Sequence, residues 1–142
     1  CCGEPLCAEG DEVFLFPTPE QLCGLTEAQL TGCGLGYRTR YIQHAAAQAA
    51  ARTLDLDALA VLPDDALFSR LLTLDGVGKK VANCVCLFGY GRTAMAPIDV
   101  WIQRLIDEEF GGRDPFPAYG QQAGIVQQYL FYYKRSISTQ KK

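Results

Sequence analysis

Lys80 stands four residues before Cys84 in the run LDGVGKKVANCVCLFG, and Asp99 follows in APIDV. On a helix, residues at i and i+4 share a face, so Lys80 lines up with Cys84 while Lys79 pairs with Asn83. An amine, a thiol and a carboxylate so grouped are the raw material of nucleophilic chemistry. The amine attacks only when neutral, and a lysine with an ordinary pKa of about 10.4 is only about 0.1% neutral near pH 7.4. Lowering it to about 7–8 takes burial or positive neighbours. Lys79 and the start of a helix both push that way. An ionised Asp99 close by pushes the other way, and its benefit comes as positive charge develops on a reacting substrate.

Three elements must position these groups. Gly76-Val77-Gly78 is a tight turn in a hairpin at about 71–88, and a helix starts after it at about Lys79. Two glycines let the backbone approach another molecule closely. The free N–H groups and dipole of the helix start then make the turn a site for an anion such as phosphate. Within that helix Val81, Val85 and Phe88 are expected to form the buried stripe. Pro97 biases Ala96 away from helix, and Asp99 is a good first residue for the helix that follows.

The rest of the chain reads as helices. Val13–Phe16 is a short strand or packed extended segment. Thr18-Pro19-Glu20-Gln21 and Thr26-Glu27-Ala28-Gln29 are capping boxes for short helices at roughly 19–23 and 27–32. A glycine-rich turn, Gly32 to Arg38, leads into an alanine-rich helix from Tyr37 to about Thr53. A helical turn at Asp57–Ala60 and a helix from Asp64 to Leu72 come next. Gly111-Gly112 ends the helix opened by Asp99, and Tyr119 to about Arg135 is the last helix, with a frayed tail.

At 142 residues the chain is one domain's worth, and 49% hydrophobic content suffices for a core. No run of 18 apolar residues exists, so no transmembrane helix and no membrane partner are expected. The chain opens at Cys1 without an initiator Met, which reads as a cut or truncation. The net charge of −3 and pI of about 5.1 count against a nucleic-acid binder by sum, though not by distribution. Basic residues cluster at Arg38, Arg40, Lys79, Lys80, Arg92, Arg104 and the tail, which leaves room for a local basic surface. The seven cysteines fit no zinc spacing. They read as reduced, mostly buried thiols of a cytosolic-type protein.

The hairpin, its lysine and the aspartate some twenty residues on resemble the helix-hairpin-helix (HhH-GPD) DNA glycosylase superfamily. Four signatures in order resemble one branch, the 8-oxoguanine DNA glycosylase/AP lyase family. GLGYRxRY stands at Gly34–Tyr41, GVGxKVAxCxCL at Gly76–Leu87, PxDV at Pro97–Val100 and AGxxQxxLF at Ala123–Phe131. The resemblance runs from about Phe16 to Tyr132. It implies an all-α helix-hairpin-helix glycosylase domain over 1–142, without the antiparallel β domain that precedes this part in the family. It excludes the superfamily's C-terminal iron–sulfur cluster from this chain, since no cysteine follows Cys86.

The resemblance also implies roles. Lys80 is the nucleophile that attacks the sugar C1′ and forms a Schiff base, and Asp99 stabilises the developing cationic sugar. Cys84 and Phe131 lie against the two faces of a flipped base, and Gln127 hydrogen-bonds its Watson–Crick edge. Tyr37 wedges into the duplex and Arg38 holds the abandoned cytosine. Gly76, Val77, Gly78 and Lys79 clamp the backbone. No cofactor is required, with room for a monovalent cation at the hairpin carbonyls. The implied partner is double-stranded DNA with an oxidised guanine or an abasic site, met by a monomer in the nucleoid or nucleus. Trp101 departs from the eukaryotic branch, which often has His there for a phosphate or catalytic-base contact.

By residue type alone each position has a plainer rival. Lys80 is also a solvated hairpin lysine, Asp99 a helix cap, Cys84 core filler, Gln127 with Phe131 a half-buried helix face, and Tyr37 with Arg38 the start of a helix. His44 reads as an ordinary surface or helix histidine. A non-catalytic DNA-binding fragment and a glycosylase for another damaged base are the alternative functions.

Overall fold

The structure is a computed structural model that describes residues 3–8 and 11–139. Cys1 and Cys2 lie outside the described residues, as does the Cys7 side chain. The chain forms two compact units. The first takes the chain up to Val61 together with Leu74–Gly76, and the second takes Leu62–Thr73 and the chain from Val77 on.

The first unit opens with an antiparallel hairpin, β1 (Pro5–Ala8) and β2 (Asp11–Phe14), paired from Pro5↔Phe14 to Ala8↔Asp11. It is the only sheet among the described residues. Helix α1 (Pro19–Cys23) is capped by Thr18 and α2 (Glu27–Gly32) by Thr26, each in a complete capping box with the glutamine three residues on. A 3-10 turn, Gly36–Arg38, leads into α3 (Thr39–Ala50), and α4 (Leu56–Ala60) starts at its cap Asp55. Leu30, Ala46, Leu54 and Leu59 form the buried interior. The single long helix expected from Tyr37 to Thr53 is shorter at both ends. Its first turn is 3-10, and Arg52 takes a left-handed φ of 56°.

The second unit holds α5 (Asp64–Leu71), α6 (Lys79–Cys84), a π turn (Val85–Gly89), α7 (Val100–Glu109), a 3-10 stretch (Phe116–Gln122) and α8 (Ala123–Thr139). On α7 Ile102, Leu105 and Ile106 repeat at i, i+3, i+4 and are fully buried. Each contributes roughly 1.5–3 kcal/mol of burial. Ile102 and Ile106 join Phe116 and Ala123 in one cluster, with Ala96, Ile98, Leu130 and Phe131 packed on it. Lys134 of α8 is buried and pairs with Glu108 of α7. The last helix does not begin at Tyr119 as expected. Gly120 sits at φ 50°, ψ −123°, a conformation no helix contains, so α8 starts at Ala123, and the SIST of the tail is helical.

Two further expectations fail. The stripe Val81-Val85-Phe88 is not the buried one. Ala82, Cys86 and Leu87 are buried, Val81 is exposed, and Phe88 is 63% exposed. Periodicity tells which residues share a face, not which face meets the core. The π turn then adds a residue to one turn and rotates everything after Val85. Nor are the cysteines mostly buried among those described: Cys23 and Cys33 are exposed, Cys84 is half-buried and only Cys86 is buried. Burial raises the Cys86 thiol's pKa above its ordinary value.

Candidate active site

The site is assembled in the second unit from α6, the loop before α7, and α8. Gly78 ends the hairpin in extended geometry (φ −90°, ψ 178°) and no side chain caps α6, so its leading N–H groups are left by the protein's own side chains. The Gly78 carbonyl accepts from Ala82 N at 2.9 Å, which fixes the first turn and with it Lys80. Lys80 and Cys84 then share a face, as their spacing requires.

Asp99 has extended backbone (φ −106°, ψ −176°) and caps α7. Its Oδ1 accepts both cap bonds, from Trp101 N at 3.0 Å and Ile102 N at 2.9 Å. The cap makes no use of Oδ2. A helix cap and a reactive carboxylate are therefore compatible in one side chain. Trp101 has Arg104 over its ring, 5.4 Å from the centroid.

Gly124 sets α8 against that loop. Its N–H donates to the Thr93 carbonyl at 2.8 Å. A Cβ at this position would lie 2.4 Å from the Met95 carbonyl oxygen and 2.8 Å from Leu87 Cδ1, so only glycine fits. One turn further, Gln127 is 3% exposed and Phe131 packs on the core cluster. Arg135 lies over the Phe131 ring, 5.7 Å from its centroid.

These elements enclose one cavity of about 130 Å3 lined by Lys80, Cys84, Phe88, Pro97, Asp99, Gln127, Gln128 and Phe131. It brings together five predicted residues: Lys80, Cys84, Asp99, Gln127 and Phe131. Lys80 and Asp99 also line a second hollow of about 430 Å3 with Ile98, Val100 and Gln103. Residue pattern does not find Phe88, which it assigns to the core, or Gln128, whose position beside Gln127 argues for a different helix face. The signal that could have found Gln128 is its length. The chemistry on offer is an amine, a carboxylate and two amides lining a mostly apolar slot.

Gly76, Val77, Gly78, Lys79, Tyr37 and Arg38 are not among the lining residues. In the first unit Tyr37 and Arg38 form the 3-10 turn before α3. Tyr37 is 72% exposed, with the Arg38 guanidinium 4.6 Å from its ring centroid. Its ring meets Tyr41 edge-on at 6.4 Å. Tyr41 packs against Gly76, where a Cβ would come within 2.3 Å of its Cγ and where φ is 77°. His44, read as an ordinary histidine, bonds Asp75 at 2.9 Å, so α3 holds the Asp75–Gly76 corner of the hairpin. Arg92 does not join a basic surface: it pairs with Asp64 at 3.4 Å and donates to the Leu62 carbonyl at 3.2 Å. Among the described residues no three His, Cys, Asp or Glu side chains come together as a metal site. No described helix is long and apolar enough to cross a membrane.

Known proteins resemble the chain in sequence and fold. A probable N-glycosylase/DNA lyase of Methanothermobacter thermautotrophicus is 30% identical over 161 residues, covering 94% of this chain and 51% of that protein. An N-glycosylase/DNA lyase of Saccharomyces cerevisiae is 36% identical over 113 residues, covering 72% of this chain and 30% of that protein. Among solved structures, Clostridium acetobutylicum 8-oxoguanine glycosylase/lyase, in complex with DNA containing cytosine opposite 8-oxoguanine, superposes with a TM-score of 0.87. It is 28% identical and the match covers 96% of this chain and 50% of that one. The chain thus spans about half the length, or less, of these relatives. Residues 4–119 match the HhH-GPD superfamily base excision DNA repair protein family, and with the all-α fold and the lysine–aspartate cavity in place the chain belongs to that family.

Proposed function

We propose that the chain is a bifunctional DNA glycosylase/AP lyase that flips 8-oxoguanine out of duplex DNA, excises it and cleaves the strand at the resulting abasic site. The observation that carries this reading is that Lys80, Asp99, Cys84, Gln127 and Phe131 line one shared cavity. The Lys80 amine attacks C1′ of the sugar, and the glycosidic bond breaks with its electron pair leaving on the base. The amine gives up a proton, the C1′–O4′ bond opens with its electron pair and that proton going to O4′, and C1′ is left as the Schiff base; the departed base anion takes a proton from water. Loss of a C2′ proton then expels the 3′ phosphate by β-elimination. Asp99 favours the cationic sugar as it develops. Cys84 and Phe131 hold the two faces of the flipped base and Gln127 its polar edge, which offsets the few kcal/mol spent on unstacking.

Tyr37 fills the vacancy in the duplex and Arg38 holds the cytosine left behind. Gly76, Val77, Gly78 and Lys79 grip the phosphate backbone. In this reading the residues form one functional domain, acting as a monomer on DNA in a nucleoid or nucleus, and the chemistry needs no cofactor. A monovalent cation at the hairpin carbonyls completes the grip; at Gly78 an added Cβ would meet nothing within 4 Å, which leaves the backbone open to one.

The experiment is strand cleavage of a duplex carrying 8-oxoguanine opposite cytosine. The chain should release the base and nick the strand. Lys80→Gln should lower both by at least about 10³-fold while DNA binding persists. Wild-type binding without base release or nicking would leave a DNA-binding module and no enzyme.

A further inference from the structure

We propose that Gln128 is a positioning residue that sets which end of the Gln127 amide faces the substrate base, and so selects purines with a carbonyl at C6. The inference rests on the base-excision reading of the same cavity. Both glutamines line that cavity. Gln127 is buried to 3% exposure, and Gln128 is half-buried. Neighbours on a helix point about 100° apart, so the two reach one cavity only because both side chains are long.

Nε2 of Gln128 donates to Oε1 of Gln127. A primary amide has one accepting end and one donating end. With its oxygen engaged by Gln128, Gln127 keeps its NH2 as the end still to be satisfied. A donor lining a cavity calls for an acceptor once a bound base covers it. The C6 carbonyl of a guanine-type base is an acceptor, whereas the C6 amino group of an adenine-type base is a second donor. Reversing the Gln127 amide would reverse that preference. The frame is rigid enough for orientation to matter, because Gly124 locks the start of α8 to the Thr93 and Met95 carbonyl region.

The test compares Gln128→Glu and Gln128→Ala with the wild-type chain. Glutamate has the same shape but, ionised, only accepts. It therefore pairs with the NH2 of Gln127 and turns the amide round, while alanine merely releases it. Excision of 8-oxoguanine opposite cytosine should fall at least about tenfold in Gln128→Glu and about two- to fivefold in Gln128→Ala. Cleavage at a preformed abasic site, which offers no base to read, should fall much less in both. The ratio of 8-oxoguanine to 8-oxoadenine excision should drop in Gln128→Glu. A side chain that only fills space predicts the reverse order, alanine worse than glutamate, or a parallel loss of both activities; either result would overturn the proposal. Independently of turnover, NMR of the wild-type chain should show slowed exchange of the Gln128 side-chain amide protons, restored to the free rate in Gln127→Ala. Free exchange in the wild-type chain would also overturn it. A wild-type chain inactive on both duplexes would instead sink the proposed function, and the amide exchange would still decide the orientation.

Discussion

The cavity of the second unit and the Tyr37–Arg38 turn of the first are built on opposite principles. Two polar groups in the cavity, Asp99 and Gln127, have a frame. Asp99 is held by two backbone amides, Gln127 is buried, and Phe131 leans on Ile102, Ile106, Phe116 and Ala123. Preorganisation of this kind is what chemistry on a bound substrate requires. The turn has almost none of it. Tyr37 is mostly exposed and touches Arg38 and the edge of Tyr41. An exposed cation–π contact is worth only about 0.5–1 kcal/mol. Such side chains do little for the folded chain, and in the proposed reading they gain their energy from DNA. Substitutions in the cavity should therefore trade chemistry against stability, whereas changes to the Tyr37 and Arg38 side chains should touch neither until DNA is present.

Asp99 gives the sharpest contrast. Asp99→Asn keeps a capping oxygen and should leave the unfolding temperature nearly unchanged, yet slow base release by about 10²–10³-fold. Asp99→Ala should lose the activity and, in addition, about 1 kcal/mol of stability with the cap. Single-turnover kinetics and thermal unfolding of the pair separate the two roles. Equal stability of the two variants would mean that the cap contributes nothing.

Gly124→Ala comes next. Its methyl group would collide with the Met95 carbonyl, and backbone cannot swing aside as a side chain can. A loss of about 1–3 kcal/mol in denaturant unfolding is expected, with excision falling as α8 shifts. Gly36→Ala, in the turn, meets open space and is strained only by its φ of 54°, so about 1 kcal/mol is expected. Tyr37→Ala should change stability by less than about 0.5 kcal/mol and weaken binding of the damaged duplex by roughly tenfold.

The smallest effect concerns thiols. Iodoacetamide at pH 8 should label Cys23 and Cys33 and spare Cys86, whose pKa burial raises, as mass spectrometry would show. The sign for stability follows. A thiol pKa raised in the folded state means that the folded chain keeps its proton longer than the unfolded one. Stability from Cys86 is thus intact below the unfolded thiol pKa of about 8.5 and declines as pH rises above it.

What could be read from sequence divides along the same line. Capping boxes at Thr18 and Thr26, the helix start at Lys79 and the cap at Asp99 rest on local rules, and all four stand in the structure. The convergence of Lys80, Cys84, Asp99, Gln127 and Phe131 was legible because the resemblance supplied long-range contacts that no local rule contains. Phe88 escapes a pattern reading because an apolar side chain lining a cavity carries the same letter as one in a core, and Val81 because periodicity does not say which face meets the core. Gln128 was missed because helical periodicity treats all side chains as equally short. The start of α8 was misplaced because a single φ at Gly120 decides it, and glycine is tolerated in too many contexts to announce that angle.

If Lys80 is a working amine nucleophile, borohydride should trap it on duplexes carrying either 8-oxoguanine opposite cytosine or an abasic site. A covalent protein–DNA adduct on both, absent in Lys80→Gln, is the predicted result. No adduct on either duplex, with binding intact, would contradict it.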